Sequence, residues 1–172
     1  MRGSVFVGTS LDGFIARPDG ALDFLPDDPE PHGFDEFLAS VDALVWGRKT
    51  YDFVQGCGTW FYGEKPVFVL SSRELKEPPA GAVVERMSGS PAEIVAALEE
   101  RGIGHIYVDG GVTIQQFIRA GLIQRLIITQ VPVLIGSGIP LFGPLDHDVS
   151  LTHLATRHYP SGLVQSEYEI GG

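Results

Sequence analysis

Three short apolar segments of this chain are each followed at once by glycines or by side chains that donate hydrogen bonds. The three pairs are residues 43–46 with Gly47-Arg48-Lys49-Thr50, residues 67–70 with Ser71-Ser72-Arg73, and residues 106–108 with Asp109-Gly110-Gly111-Val112-Thr113. Each apolar segment is typical of a buried strand, and open α/β sheets bind their ligands outside the carboxyl ends of such strands. Together the three pairs predict an α/β fold whose carboxyl edge binds one phosphorylated dinucleotide.

The charge of the chain limits the kind of partner it can bind. The net charge is −10 over 172 residues. This argues against nucleic acid as a partner, because phosphate backbones bind basic protein surfaces. An anionic cofactor therefore needs a local cluster of positive charge. The chain has only 12 lysines and arginines, yet Arg48, Lys49 and Arg73 all lie in the segments predicted to bind phosphate.

The pattern of apolar residues alternates between strand and helix and then, near the C-terminus, predicts strands alone. The predicted strands are residues 4–9, 43–46, 66–70, 83–84, 106–108, 126–132 continued by 133–135, 151–158 and 163–170. The predicted helices are residues 33–40, 48–54, 112–120 and a helix from a capping box at Ser90 to about Arg101. This order indicates a mainly parallel sheet with an antiparallel C-terminal edge, in a single domain over residues 1–172.

Cysteine content and hydropathy indicate the compartment. The single cysteine, Cys57, cannot form a disulfide within the chain, so we expect a reducing compartment. We expect Cys57 to be a small buried thiol, and a nucleophile is the alternative. No apolar run approaches the ~20 residues of a membrane span, and the N-terminus runs directly into the first predicted strand. The histidines show no ligand spacing that would indicate a metal. We therefore expect a cytoplasmic protein with no membrane partner.

Each of the three polar segments also has an ordinary structural explanation. Gly47 and the residues after it favour an anion at a helix start, or are a helix start with two solvated cations. Ser71-Ser72 with Arg73 suits a terminal phosphomonoester, such as the 2′-phosphate that distinguishes NADP from NAD, or an N-cap in a loop. Gly110-Gly111 gives a pyrophosphate access to bare backbone, but paired glycines are also frequent in turns.

Five longer stretches resemble the dihydrofolate reductase superfold, and specifically the reductase domain of bacterial riboflavin biosynthesis and its stand-alone relatives. In chain order they are residues 10–16 (SLDGFIA), 47–51 (GRKTY), 70–73 (LSSR), 108–111 (VDGG) and 132–142 (PVLIGSGIPLF). They follow the family's order and cover nearly the whole chain. The resemblance implies a dihydrofolate reductase-like three-layer fold, with the central sheet flanked by helices, and NADPH as the cofactor.

The resemblance implies cofactor contacts position by position. Arg48 and Ser72, together with Arg73, would bind the 2′-phosphate. Ile15 and Ala16 would flank the nicotinamide. The remaining contacts, on the pyrophosphate and along the three strand ends, would come from Gly47, Lys49, Thr50, Leu70, Ser71, Asp109, Gly110, Gly111, Val112 and Thr113. In this family the paired glycines often adopt a cis peptide, so we expect one between Gly110 and Gly111.

The resemblance identifies the substrate-binding residues less specifically than the cofactor-binding ones. Asp12 lies in the turn after the first strand, where riboflavin-pathway reductases present an aspartate to the ribose chain, and a turn aspartate bonded to its own backbone is the alternative. Asp35 or Glu36 lies near the helix position where folate reductases bind the pterin ring, although acidic residues in a first turn also stabilise a helix. Thr129 matches a folate-site threonine, although threonine is common in strands.

Two loop segments are further candidates for the substrate site. Gly138, in the stretch of residues 136–140, could wrap the nicotinamide end or shape the pocket. Trp60 begins an aromatic run over residues 60–62 that suits stacking on a flat heterocycle. Packing in the core or at an interface explains this run equally well.

We predict an NADPH-dependent reductase that transfers hydride to a C=N or C=O carbon of a small heterocyclic substrate, similar to a pteridine or a ribosylamino-pyrimidine. Asp12 and solvent are the two candidate proton donors. The competing prediction is an NADP-binding module without turnover, used for sensing or assembly. Apolar residues near the C-terminus are compatible with a homodimer or with cover for the domain's own sheet, namely Val149, Leu151, Leu154 and Leu163.

Overall fold

The computed structural model describes residues 1–28, 30 and 32–171. The strands are β1 Arg2–Ser10, β2 Phe14–Ala16, β3 Ala43–Gly47, β4 Val67–Leu70, β5 Val84–Met87, β6 His105–Asp109, β7 Arg125–Val131, β8 Ile139–Pro140, β9 Leu151–His158 and β10 Val164–Ile170. The helices are α1 Phe34–Ser40, α2 Arg48–Gly56, α3 Pro91–Glu100 and α4 Gly111–Arg119. Within the described residues, none of these helices is long and apolar enough to cross a membrane.

Eight of the strands form one sheet in the order β5-β4-β3-β6-β1-β7-β10-β9. The strands from β5 to β7 in this order are parallel, and the hairpin of β9 and β10 joins β7 in antiparallel orientation. A parallel sheet buries both of its faces, which explains why the central strands are continuous apolar runs. The predicted mainly parallel sheet with an antiparallel C-terminal edge is confirmed.

Two apolar clusters cover the two faces of the sheet. On one face α3 and α4 pack through buried side chains that include Leu98 and Phe117. On the other face α1 and α2 pack through Phe37 and Tyr51. The helices therefore form the outer layers of a three-layer domain. Because α2 directly follows β3 and α4 directly follows β6, the first turns of both helices lie at the carboxyl edge of the sheet.

The sequence prediction is wrong in the segment after β7. Residues 133–135 form no strand, because Pro132 lacks the N–H that a ladder needs and the N–H of Val133 donates to the carbonyl of Val131 at 2.8 Å. The chain becomes extended again only at β8. This short strand pairs with β2 in a separate two-stranded sheet that the sequence pattern does not indicate.

Cys57 is exposed, so the expected buried thiol is also wrong. The residue is the C-cap of α2, and its N–H donates to the carbonyls of Phe53 and Val54 in the last turn. Helix α2 buries Tyr51 against the sheet in its first half. Cys57 lies beyond that apolar face, where the chain leaves the helix, and its side chain therefore has no core to enter.

Helix α3 begins with the predicted capping box. The Ser90 hydroxyl accepts a hydrogen bond from the N–H of Glu93 at 3.4 Å, and the Glu93 carboxylate accepts one from the N–H of Ser90 at 2.7 Å. Pro91 occupies the first helical position, where no N–H is needed. These bonds satisfy two backbone donors that a helix start leaves without partners.

Ser90→Ala should therefore destabilise the fold. We expect the free energy of unfolding to fall by about 1 kcal/mol, the usual effect of losing an N-cap, in urea denaturation. Ser88→Ala is the matched control, because Ser88 is exposed and lies outside the helix. Equal losses for the two variants would contradict the capping role.

Candidate functional site

The three polar segments lie side by side at the carboxyl edge of the sheet. Strands β4, β3 and β6 are parallel neighbours, with Gly47 in register with Leu70 and Trp46 in register with Asp109. Parallel neighbours end at the same edge, so the residues that follow each strand meet there. Segments that are far apart in the sequence thus form one continuous surface.

The N-termini of α2 and α4 meet across two glycines. A Cβ added at Gly110 would lie 2.8 Å from the Thr50 hydroxyl, and one added at Gly47 would lie 2.7 Å from the Thr113 hydroxyl. Gly110 also has φ +101°, which side chains rarely permit. No described side chain caps either helix, so their first N–H groups stay open to an anion between them. The two bare positions allow the helix starts to approach each other.

The peptide bond between Gly110 and Gly111 is trans, so the expected cis bond is wrong. The chain turns through the positive φ of Gly110 instead and enters α4 at the next residue. A side chain does not fit at Gly111 either, since a Cβ there would lie 2.8 Å from Ile139 Cγ2 and 3.1 Å from Ile15 Cδ1. The β2–β8 pair therefore packs against the start of α4 and brings Ile15 and the buried Ala16 to the site.

Arg48 reaches from the start of α2 to the turn after β4. Its Nη1 donates to the Glu74 carbonyl at 2.8 Å and to the Ser71 hydroxyl at 3.2 Å, and its Nε lies 3.5 Å from the Asp52 carboxylate. The Ser71 hydroxyl in turn donates to the carbonyl of Arg73 at 2.8 Å. One guanidinium therefore joins two of the three predicted phosphate segments.

The other predicted cofactor residues divide by exposure. Those whose side chains face solvent are Lys49, Ser72, Arg73 and Val112. Those packed at the strand ends are Thr50, Leu70 and Thr113, of which Thr113 is buried. The exposed cations and the Ser72 hydroxyl thus face solvent at the carboxyl edge. Thr50 and Thr113 line the gap between the starts of α2 and α4.

Asp12 is exposed in the turn after β1 and holds a distant loop. Its carboxylate accepts hydrogen bonds from the N–H of Gly136 at 2.8 Å and from the N–H of Ile135 at 3.3 Å. The Ser10 hydroxyl and these backbone donors hold the pKa of Asp12 below its ordinary value. A carboxyl with a lowered pKa is ionised at neutral pH, where it orients donors well and gives up no proton.

Asp109 is a carboxyl of the opposite kind. It ends β6 on the sheet face that carries Trp46, Tyr62 and Tyr107, and burial raises its pKa although the N–H of Gly110 donates to Oδ1 at 2.8 Å. Burial and the neighbouring Asp109 raise the pKa of Tyr62 to about 12. Burial likewise raises the pKa of Tyr107 well above its ordinary range. A half-buried acid at an edge predicted to bind a cofactor is a candidate proton donor, and the sequence pattern does not indicate this role.

Trp60 is half-buried and packs into the core. Its ring lies 5.9 Å from Trp46 and 5.3 Å from Tyr62 between ring centroids, and its indole N–H donates to the carbonyl of Gly63 at 3.0 Å. Of the three consecutive aromatic residues, Phe61 is the one that faces solvent, with 69% of its surface exposed. Core packing, one of the three explanations left open for this run, accounts for the position of Trp60.

Thr129 and Gly138 lie at different parts of the site. Thr129 is buried in β7, and its hydroxyl accepts a hydrogen bond from Gln165 Nε2 at 3.0 Å, which leaves that hydroxyl a proton to donate. A Cβ added at Gly138 would lie 2.3 Å from the carbonyl oxygen of Ala16. Gly138 therefore allows the chain before β8 to approach β2 closely at Ala16.

Asp35 and Glu36 are exposed in the first turn of α1. Glu36 lines a groove of about 460 Å³ that runs between α1 and the hairpin of β9 and β10. The apolar side chains of the groove are Phe6, Phe37 and Ile127, and its charged ones include Arg125 and Arg157. The groove lies on the same sheet face as the Asp109 carboxyl, and its size falls within the range of small-molecule sites.

Gly110→Ala tests the close approach of the two helices. Gly121→Ala is the matched control, because Gly121 has φ +69° and no atom of the described part of the chain lies within 4 Å of an added Cβ. We expect Gly121→Ala to lower the free energy of unfolding by about 1–2 kcal/mol, the cost of a left-handed alanine, and Gly110→Ala to lower it further. The additional loss comes from the contact with Thr50 and from the backbone of Gly110, whose φ of +101° and ψ of +129° suit alanine less well than the left-handed region does. Equal losses in urea denaturation would contradict this steric role.

Asp109→Asn tests the raised pKa. A carboxyl whose pKa is higher in the folded than in the unfolded state destabilises the fold as the pH rises from the unfolded towards the folded value. Asparagine keeps an acceptor for the N–H of Gly110 without the charge, so the variant should be more stable than wild type at pH 8 and nearly equal to it near the ordinary pKa of aspartate. Asp12→Asn should show the opposite sign at pH 8, because the pKa of Asp12 is lowered. A stability loss in Asp109→Asn at pH 8 would contradict the assignment.

Residues 4–165 match the family model described as the RibD C-terminal domain. A candidate riboflavin biosynthesis protein from Shewanella sp. PV-4 has the same fold at a TM-score of 0.91 and 37% identity, over 100% of both chains. The uncharacterized protein YwjB of Bacillus subtilis is 30% identical over 161 residues, which is 90% of each chain. Dihydrofolate reductase from Enterococcus faecalis, complexed with NADP(H), matches at a TM-score of 0.62 and 18% identity, over 98% of this chain and 94% of that chain. The chain therefore belongs to the RibD C-terminal domain family and has a dihydrofolate reductase-like fold.

Proposed function

We propose that this protein is an NADPH-dependent reductase that transfers hydride to a C=N or C=O carbon of a small pteridine-like or ribosylamino-pyrimidine-like substrate. The observation that carries the proposal is the meeting of the N-termini of α2 and α4 at Gly47 and Gly110. Each helix start presents N–H groups that no described side chain caps and the positive end of a helix dipole, so together they suit a diphosphate. The NADP(H) bound to the E. faecalis enzyme, which has the same fold, supports the choice of nucleotide.

The residues around the two helix starts fit a dinucleotide. A Cβ at either glycine would fill the gap, so its floor is bare backbone. Lys49 and the hydroxyl of Thr50 would bind the pyrophosphate, and Ile15 would flank the nicotinamide beside the paired glycines. When bound, NADPH supplies the hydride. The protein's own contribution is position and electrostatics.

Arg48, Ser72 and Arg73 would bind the 2′-phosphate, the group that NADPH has and NADH lacks. Arg48 is held beside the turn after β4 by its bonds to the Ser71 hydroxyl and the Glu74 carbonyl. A cation fixed before binding loses less side-chain freedom when the ligand arrives. Guanidinium and phosphate then form charge-assisted hydrogen bonds, which are stronger than neutral ones.

Asp109 is the proton donor in this proposal, and Asp12 is a positioning residue. Hydride addition to a C=N or C=O carbon leaves a negative charge on the nitrogen or oxygen, which must take up a proton. Burial raises the pKa of Asp109 and favours its protonated form. The pKa of Asp12 is lowered, and its carboxylate instead holds Ile135 and Gly136 near the predicted place of the ribose chain.

The heterocycle of the substrate would lie between α1 and the sheet. The groove along α1 offers the space, and the Thr129 hydroxyl offers a buried donor on the same sheet face. Glu36 lines the groove and is favoured over Asp35 as the carboxylate that recognises a ring nitrogen. Trp60 and Gly138 would act indirectly, since one packs on Trp46 and the other allows the close approach to β2.

The homodimer stays a prediction, and the geometry of the C-terminal hairpin supports it. Strand β9 ends the sheet, with Leu151 44% exposed and Leu154 47% exposed. Leu163 is buried and therefore covers the domain's own core. An edge strand with exposed apolar side chains presents free backbone groups to a second chain.

Arg48→Ala tests the cofactor assignment. Loss of a charge-assisted hydrogen bond costs about 1.5–3 kcal/mol, so NADPH should bind roughly 10- to 150-fold more weakly. The affinity for NADH should hardly change, because NADH lacks the 2′-phosphate. Fluorescence titration of both nucleotides measures the difference. Arg119→Ala is the matched control, since Arg119 is an exposed arginine in the last turn of α4.

Nucleotide titration and NADPH oxidation together distinguish a reductase from an NADP-binding module without turnover. Equal losses for NADPH and NADH would contradict the role given to Arg48, and absence of binding by either would contradict the dinucleotide site. Steady NADPH oxidation with dihydrofolate or with a deaminated ribosylamino-pyrimidine supports a reductase. Tight NADPH binding without oxidation over a broad panel of heterocycles would favour the binding module without turnover.

A further inference from the structure

A second arginine reaches the turn that Arg48 holds. Arg86 lies on β5, the strand at the sheet edge, in register with Val69 of β4. Its Nη1 donates to the carbonyl of Ser71 at 3.4 Å, and its Nη2 lies 3.3 Å from the Glu74 carboxylate. Two guanidinium groups, from two different elements, therefore contact the turn that begins at Ser71.

The contacts of Arg86 are long and exposed to solvent. Arg86 is 39% exposed and Glu74 is 91% exposed, with 3.3 Å between the paired atoms. An exposed ion pair of this geometry contributes little to stability, because water screens the charges and both long side chains lose freedom. A phosphate forms stronger, charge-assisted bonds with guanidinium, so exchange of the Glu74 carboxylate for a phosphate is favourable.

The ion pair of Glu85, the residue before Arg86 on β5, has a tighter geometry. Arg101, at the C-cap of α3, makes two bonds to Glu85 of 2.8 and 2.9 Å, and its guanidinium lies 5.5 Å from the centroid of the Phe68 ring. Glu85 and Arg86 are consecutive in β5, so their side chains point to opposite faces of the sheet. Arg101 is fixed by a bidentate pair and an aromatic ring, whereas Arg86 makes two long side-chain bonds within the described residues.

We propose that Arg86 is a further ligand of the cofactor's 2′-phosphate and that Glu74 occupies this position in the free protein, an inference that rests on the proposed NADPH site. When the nucleotide binds, its phosphate replaces the Glu74 carboxylate as the partner of Arg86. The Glu74 carboxylate then repels the phosphate, since like charges at short range raise the energy of the complex. Arg86 strengthens the preference for NADPH over NADH, and Glu74 limits it.

Titration of the full chain with NADPH and NADH at one ionic strength tests both halves of the pair. Arg86→Gln should weaken NADPH about tenfold, near the lower end for a charge-assisted bond at an exposed position, with NADH changed less than about twofold. Glu74→Gln should tighten NADPH about two- to threefold, because it removes a negative charge beside the phosphate. The two variants should therefore shift the NADPH affinity in opposite directions.

Arg101→Gln and Glu85→Gln are the matched controls, and both should leave the two affinities unchanged. Adenosine 2′-monophosphate is the probe for the phosphate alone and should follow the NADPH pattern, and circular dichroism melts check the fold of each variant. Unchanged NADPH affinity in Arg86→Gln, together with a loss in Arg48→Ala, would overturn the role of Arg86 and leave the proposed function intact. Weaker NADPH binding in Glu74→Gln would overturn the exchange. Failure of the wild-type chain to bind NADPH would overturn the proposed function itself.

Discussion

Two glycine positions where no side chain fits determine the architecture of the carboxyl edge of the sheet. A Cβ at Gly47 would meet the Thr113 hydroxyl at 2.7 Å, and one at Gly110 would meet the Thr50 hydroxyl at 2.8 Å. Because both positions are bare, the first turns of α2 and α4 come together, and the neighbouring β4 adds its turn beside them. Open N–H groups can then hold an anion, and in the proposed function they allow a chain with a net charge of −10 to bind a phosphorylated nucleotide.

The central elements could be predicted from the sequence because burial imposes their pattern. Strands β3, β4 and β6 are continuous apolar runs since the sheet covers both of their faces, and α3 begins at a capping box. The pair of β2 and β8 could not be predicted, because it is held by a distant contact with Gly111. The strand predicted at residues 133–135 is wrong because the chain turns at Pro132, and the Val133 carbonyl accepts instead from the N–H of Leu11.

The candidate site likewise contains residues that could be located from the sequence and residues that could not. Glycines and donors that directly follow a strand could be located from the sequence, since their position follows from the order of the elements. The raised pKa of Asp109 could not be predicted, because it depends on burial beside Tyr62 and Tyr107. The position of Arg86 is equally hidden, since only the pairing of β4 with β5 brings it to the turn. Residues whose chemistry depends on partners from other segments need the assembled fold.

In the proposed function a dinucleotide diphosphate lies between the first turns of α2 and α4. A crystal structure of the protein with NADP⁺ tests it most directly. We expect pyrophosphate oxygens within hydrogen-bond distance of backbone N–H groups in residues 48–50 and 111–113, and the 2′-phosphate beside Arg48. A nucleotide bound elsewhere, such as in the groove along α1, would contradict the claim.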